Sequence, residues 1–130
     1  MKFLLDTHIW MWSVDDPDRI RPAIRELVED GQHELCISAI SFWEIMLLSR
    51  RERIDIGRDP RRWIQFALHE YPIREVPIDR AIALESRSFD LPHQDPADRF
   101  IVATARVNDL VLLTHDRALI ESPAVPTLGP

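Results

Sequence analysis

Four acidic residues stand where a carboxylate could take part in chemistry: Asp6, Glu44, Asp98 and Asp116. Asp6 and Asp116 each follow an apolar, strand-like run, and Glu44 and Asp98 fall within the apolar patterns of two predicted helices. An isolated ionised carboxylate is unfavourable to bury, so the four acids indicate a shared divalent cation. Because every candidate ligand is an oxygen, Mg²⁺ or Mn²⁺ fits better than zinc. Carboxylate-held ions of this kind support phosphodiester hydrolysis.

The elements that must position these acids alternate along the chain. Strands are predicted at 2–6, 34–37, 73–77 and 110–114, with a possible edge strand at 125–128. Helices are predicted at 8–13, 18–30, 38–50, 59–71, 79–88, 95–107 and 117–121. This rhythm favours an α/β fold, with a parallel sheet covered by helices on both faces, and the length favours a single domain over 1–130. Such folds bind ligands at the carboxyl ends of their strands, where Asp6 and Asp116 lie.

Helical spacing brings the other two acids towards the same edge. Glu44 shares a predicted face with Ile40, Leu47 and Leu48. Asp98 shares one with Ile101, Val102 and Ala105. Both carboxylates can therefore face the edge at which the strands end.

Structural roles compete with the metal interpretation at each position. An Asp after a strand commonly caps the next helix, and an Asp in a first helical turn is favoured by the helix dipole. Glu44 could be a satisfied buried acid. Asp95, directly before Pro96, is better explained as a helix cap. Thr114 could hold a carboxylate or a water of the metal shell, or it could be an ordinary strand residue.

Composition excludes several other classes of protein. The 130 residues carry a net charge of −6, which by itself argues against a nucleic-acid partner unless a metal neutralises the acids. Lys2 is the only lysine and three glycines are present, so a P-loop is excluded. The single cysteine cannot form an internal disulfide, and no run is long and apolar enough to cross a membrane. We therefore expect a cytoplasmic location and no membrane partner.

Four segments resemble the motifs of PIN-domain ribonucleases, specifically the VapC-type toxins of type II toxin–antitoxin systems. The segments are Leu4–Trp10, Ile37–Ile45, Asp95–Ala105 and Leu112–Asp116. The resemblance implies a three-layer α/β/α sandwich, Mg²⁺-dependent cleavage of RNA, inhibition by a cognate antitoxin, and a homodimer. Carried over by position, it implies that Asp6 and Asp98 are the principal metal ligands. Glu44 and Asp116 would complete the acidic pocket.

Basic residues suggest where RNA could bind. Arg50, Arg51 and Arg53 form a basic stretch that could contact RNA phosphates, or could be a solvated surface balanced by nearby acids. Arg99 could stabilise a phosphate or pair with an acid on its own helix.

Aromatic residues suggest where a partner protein could bind. Four tryptophans are many for this length, and most are expected in the core. We predict that part of the set Trp10, Trp12 and Trp43 contacts an antitoxin segment or a second subunit. His8, His93 and His115 lie near motif ends and are expected at the surface or behind the metal ligands, although a general base is conceivable.

Two other functions remain open from the sequence. A catalytically silent PIN-like binding or scaffold module is possible, although acids at all four motif positions argue against it. A metal-dependent phosphohydrolase or phospho-receiver is also possible, but such sites usually place a lysine beside the phosphate, and this chain offers only Lys2.

Overall fold

The computed structural model describes residues 1–92 and 95–129. In this part of the chain, four parallel strands form one sheet in the order β3-β2-β1-β4. Their bounds are Lys2–Leu5 for β1, Glu34–Ser38 for β2, Arg74–Val76 for β3 and Val111–Leu113 for β4. The register aligns Leu4 with Cys36 on one side and with Leu112 on the other. The predicted parallel sheet is confirmed.

Helices cover both faces of this sheet. They are α1 (Thr7–Asp15), α2 (Pro22–Glu29), α3 (Ala39–Arg50), α4 (Pro60–Glu70), α5 (Arg80–Glu85), α6 (Pro96–Asn108) and α7 (Arg117–Glu121). A short 3-10 turn, Pro17–Arg19, lies between α1 and α2. Among the described helices, none combines the length and the apolar character needed to cross a membrane.

Two apolar cores lie on opposite faces of the sheet. Side chains alternate along a strand, so Phe3 and Leu5 enter one core and Leu4 enters the other. The core around Leu4 receives residues of α5, α6 and α7, and the core around Phe3 receives residues of α1, α2 and α4. Helix α3 contributes Ile45 to the second core. This arrangement confirms the three-layer α/β/α sandwich.

The predicted helix at 18–30 is wrong in its first part. Ile20 and Arg21 are extended, with ψ of 134° and 140°, and the α-helix begins only at Pro22. A residue that precedes proline is disfavoured in the helical region, so Arg21 separates the 3-10 turn from α2.

The predicted edge strand at 125–128 is also wrong, because this fully described segment adopts no strand. The Leu112 N–H donates to the Pro126 carbonyl oxygen at 2.7 Å, so the segment does run beside β4. Pro126 has no N–H to donate in return, which limits further pairing.

Candidate active site

A pocket of about 550 Å³ opens at the carboxyl edge of the sheet. All four acids singled out from the sequence line this pocket, together with six other residues. The lining is Asp6, His8, Ile9, Trp12, Arg19, Glu44, Asp95, Asp98, His115 and Asp116. We call it the acid pocket. Its position matches the ligand-binding edge expected for an open parallel sheet.

Asp6 is held by the ends of two neighbouring strands. Its Oδ1 accepts a hydrogen bond from the Thr7 N–H at 2.8 Å, which caps α1. Its Oδ2 accepts a hydrogen bond from the Thr114 hydroxyl at 2.6 Å. The Thr114 oxygen in turn accepts from the Asp116 N–H at 3.0 Å. Thr114 therefore links two of the four acids, and its hydroxyl holds the Asp6 carboxylate. Its role behind a metal ligand stays a prediction.

Asp116 and Asp95 both begin helices. The Oδ1 of Asp116 accepts from the Ala118 N–H at 2.9 Å and caps α7. The Oδ1 of Asp95 accepts from the Ala97 N–H at 2.9 Å and caps α6, as predicted. Both residues nevertheless line the acid pocket, because the N-termini of these helices start at the same edge at which the strands end.

Glu44 and Asp98 reach the pocket from two helices. Asp98 is half-buried in the first turn of α6 and precedes its buried face, as the spacing indicated. The fully buried positions of α3 are Ser41 and Ile45, so the apolar face is rotated by about one residue from the predicted one. Glu44 is consequently half-buried at the border of that face.

A buried hydrogen bond fixes α3 against α1. The hydroxyl oxygens of Thr7 and Ser41 lie 2.8 Å apart, and neither side chain is exposed to solvent. Because Thr7 follows Asp6 and Ser41 lies three residues before Glu44, this bond sets the position of one acid relative to the other. The sequence pattern does not reveal this pair, since hydroxyl residues near helix starts usually act as caps.

Burial and mutual repulsion perturb the acids. Burial, with repulsion from the neighbouring carboxylates, raises the pKa of Asp98 from 3.8 to about 8. Burial also raises the pKa of Asp6 and that of Glu44, and hydrogen bonds from Thr114 and Thr7 oppose the two shifts only in part. A bound cation would stabilise the ionised form of these carboxyl groups, which burial and mutual repulsion disfavour when no cation is present.

The donor chemistry of the acid pocket fits a hard divalent ion. Its candidate ligands, Asp6, Glu44, Asp98 and Asp116, are all carboxylates. Within residues 1–92 and 95–129, no three His, Cys, Asp or Glu side chains stand together as a formed ligand set.

The predicted basic residues have different surroundings. Arg50, the last residue of α3, is exposed, as are Arg51 and Arg53 just beyond it. Arg53 lines a second pocket of about 390 Å³ that shares His8, Trp12 and Arg19 with the acid pocket. Arg99 donates hydrogen bonds to the carbonyl oxygens of Ser86 and Phe89, at 3.0 and 2.6 Å. Its guanidinium thus joins α6 to the chain that follows α5.

The predicted tryptophan contacts separate into core and surface. Trp10 is only 1% exposed and packs edge to face on Trp63 and Phe42, so its assignment as a partner contact is wrong. Trp43 is 47% exposed on α3, and Trp12 is partly exposed in the wall of the acid pocket. These two remain predictions as partner contacts.

Arg19 and the histidines complete the pocket wall. Arg19 lines the acid pocket and was missed, because nothing in the sequence distinguishes it from the other arginines. His8 and His115 also line the pocket, and burial lowers the pKa of His115. The prediction for His93 lies outside the described residues.

Comparison with known proteins agrees with this geometry. A model of the PIN domain matches residues 3–124. Ribonuclease VapC22 of Mycobacterium tuberculosis is 36% identical over 119 residues, which cover 89% of this chain and 88% of that protein. VapBC2 of Rickettsia felis, bound to a DNA fragment from its promoter, has a TM-score of 0.68 at 13% identity and covers 99% and 98% of the two chains. A toxin–antitoxin complex from Klebsiella pneumoniae has a TM-score of 0.59 at 20% identity and covers 96% of each chain. This chain therefore belongs to the PIN-domain family, as a VapC-type member.

Proposed function

We propose that this protein is a divalent-metal-dependent endoribonuclease that hydrolyses RNA phosphodiesters in the acid pocket and acts as the toxin of a toxin–antitoxin pair. The observation that carries the proposal is the meeting of Asp6, Glu44, Asp98 and Asp116 in one pocket at the carboxyl edge of the sheet. The name of the relative from Mycobacterium tuberculosis, Ribonuclease VapC22, supports RNA as the substrate. The toxin–antitoxin complex from Klebsiella pneumoniae supports an antitoxin as the protein partner.

Asp6 and Asp98 are the proposed principal ligands of Mg²⁺ or Mn²⁺, with Glu44 and Asp116 completing the site. When bound, such an ion activates water for attack on phosphorus and stabilises the charge that develops on the leaving oxygen. Thr114 orients the Asp6 carboxylate by donating to its Oδ2.

The test is cleavage of a mixed single-stranded RNA pool by the purified protein. We expect cleavage with Mg²⁺ or Mn²⁺ and none in excess EDTA. Asp6→Asn and Asp98→Asn should each abolish cleavage without unfolding the protein, and Glu26→Gln, which removes an exposed acid on α2, should cleave normally. Undiminished cleavage by either Asn variant would refute the mechanism. Absence of cleavage by the unmodified protein with both metals would favour a silent binding module.

We also propose that the RNA strand leaves the acid pocket towards the basic stretch after α3. Arg53 supports this path because it lines the second pocket, which shares three lining residues with the acid pocket. Asp15, Asp16 and Asp55 also line the second pocket, so its arginines have to offset these acids as well. Arg50, at the end of α3, and Arg51, directly after it, are also exposed. Replacing all three arginines by alanine should weaken RNA binding and lower its dependence on salt, since phosphate contacts release counterions.

The proposed protein partners are a cognate antitoxin and a second copy of this chain. Trp43, 47% exposed, and Met46, 36% exposed, lie three residues apart on α3 and form an apolar surface suited to such a contact. The product of a short reading frame directly upstream should co-purify with the protein. Its co-expression should also relieve the growth arrest that we expect from expression of the proposed toxin alone. Trp43→Ala should weaken that complex or the homodimer, whereas Tyr71→Ala, which removes an equally exposed ring on another surface, should weaken neither.

A further inference from the structure

The acid pocket presents an electrostatic problem for an anionic substrate. Five carboxylates line it, those of Asp6, Glu44, Asp95, Asp98 and Asp116. A phosphate of the RNA strand must approach this set, and a metal ion offsets only part of the repulsion. Arg19 is the single arginine among the described residues that line the pocket. Its positive charge can therefore offset part of the repulsion between the acids and an RNA phosphate.

The Arg19 guanidinium lies against an aromatic ring rather than against an acid. Its central carbon is 4.6 Å from the centroid of the Trp12 ring, a cation–π distance. Within residues 1–92 and 95–129, the arginines that form ion pairs are Arg25, Arg74, Arg106 and Arg117. Arg19 is exposed and is not one of them. Among the described residues, Arg19 therefore lines the acid pocket without forming an ion pair with any of the five acids.

The backbone that carries Arg19 is anchored on both sides. Arg19 ends the 3-10 turn, and its N–H donates to the Asp16 carbonyl oxygen at 3.1 Å. Asp18 pairs with Arg25 of α2 at 2.7 Å. The Arg21 N–H donates to Nε2 of His115 at 3.2 Å, which ties the segment to the loop after β4.

The Trp12 ring is also held in place. The His8 ring lies 5.7 Å away and the His115 ring 5.4 Å away, both tilted. Trp12 and Arg19 line the acid pocket and the second pocket, so they stand where a strand would pass from one to the other. A planar guanidinium at such a position can bind a phosphate through two parallel hydrogen bonds.

We propose that Arg19 binds an RNA phosphate at the junction of the two pockets. Trp12 is a positioning residue, because its ring holds the Arg19 guanidinium by a cation–π contact in the orientation that binds the phosphate. This inference rests on the proposed function and names the residue of this site that recognises the substrate backbone. Trp12 acts through Arg19 rather than by stacking on a base. The two side chains form one unit, so loss of either removes the same contact.

The test measures binding of a fluorescein-labelled single-stranded RNA pool by fluorescence anisotropy. The protein carries Asp98→Asn to prevent cleavage, Ca²⁺ is present at a fixed concentration, and NaCl is varied. Each phosphate contact to a single strand contributes about 0.7 to the slope of log affinity against log salt, or about fivefold in affinity near ~0.1 M salt. Arg19→Ala should lose about this much affinity and slope, and Arg19→Lys should retain the slope.

Arg58→Ala is the matched control, because Arg58 stacks on Phe66 at the same 4.6 Å but does not line the acid pocket. It should weaken binding by less than about twofold. Trp12→Leu should reproduce the loss of slope seen with Arg19→Ala, and Trp12→Phe should preserve it. The double variant Trp12→Leu with Arg19→Ala should bind no more weakly than Arg19→Ala alone.

Three results would count against these statements in different ways. If Arg19→Ala binds like Arg58→Ala while the unmodified protein cleaves RNA, the inference falls and the proposed function stands. If Trp12→Leu loses affinity with an unchanged salt slope, the ring stacks on a base and the positioning role is overturned. If the unmodified protein neither cleaves nor binds RNA, the proposed function falls and the inference with it.

Discussion

Replacement of Asp98 by Asn should stabilise the metal-free protein, with an effect that depends on pH. Burial and the neighbouring carboxylates raise the pKa of Asp98 from 3.8 to about 8, so the fold favours its protonated form. Well below pH 3.8 this acid is neutral in the folded and the unfolded chain, and it does not affect the free energy of unfolding. Between these two pKa values, Asp98 is ionised in the unfolded chain but still protonated in the folded chain, so rising pH increasingly favours the unfolded state. Wild-type stability should therefore fall across this window.

The size of the effect follows from the shift. One pKa unit corresponds to about 1.4 kcal/mol, so the full shift sets an upper bound of about 6 kcal/mol. Asp98 is only half-buried, and solvent and salt screen the repulsion from the other acids. We therefore expect Asp98→Asn to gain about 2 kcal/mol at pH 8 and almost nothing at pH 4. The gain at pH 8 corresponds to about 7 °C in Tm for a domain of this size.

The assay is urea unfolding in EDTA from pH 4 to pH 8.5, followed by circular dichroism, for wild type and variant. Saturating Mg²⁺ should reduce or reverse the stability advantage of Asp98→Asn over the wild type. An ion that binds the folded state stabilises it, and only the wild type keeps the Asp98 carboxylate as a ligand. Glu26→Gln, at an exposed acid away from the acid pocket, provides the control and should show no comparable gain. A gain that does not change with pH, or a loss of stability at pH 8, would refute the electrostatic reasoning.

Three further expectations concern the residues around the site, and each can be measured by urea unfolding together with the cleavage assay. Thr114→Val leaves the Asp6 carboxylate without its 2.6 Å donor, so it should lower stability by about 1–3 kcal/mol and weaken Mg²⁺ binding, and Thr114→Ser should restore both. Trp10→Ala should lose about 3–5 kcal/mol because the ring is buried, whereas Trp43→Ala should change stability by less than about 0.5 kcal/mol; equal losses would contradict the assignment of core and surface. Asp95→Ala removes a helix cap and should lower stability by about 1 kcal/mol while leaving cleavage measurable, so complete loss of cleavage with an intact fold would make Asp95 a ligand.

Much of the site could be predicted because local patterns determine it. The ends of parallel strands meet at one edge, so Asp6 and Asp116 followed from recognising β1 and β4. The rotation of α3 could not be predicted, since this helix packs against both cores and its pattern does not favour one face. Trp10 and Trp12 illustrate a similar limit. They are the same residue type two positions apart, yet Trp10 is buried in the core and Trp12 is partly exposed in the wall of the acid pocket.

The remaining features depend on tertiary contacts. Arg19 ends the 3-10 turn, and the extended backbone at Ile20 and Arg21 separates that turn from α2. The proline was visible in the sequence, and its effect on the preceding residue was the available indication. The hydrogen bond between Thr7 and Ser41 spans 34 positions and has no local pattern that identifies it.

The bond between Leu112 and Pro126 has a consequence for self-assembly. An uncovered edge strand invites pairing with another chain, and proteins avoid aggregation by blocking such edges. Here a segment whose proline offers no donor covers β4. At the opposite edge, β3 is three residues long and exposes Arg74 and Glu75. Both edges therefore resist strand addition, so a homodimer would have to pack through helices rather than extend the sheet.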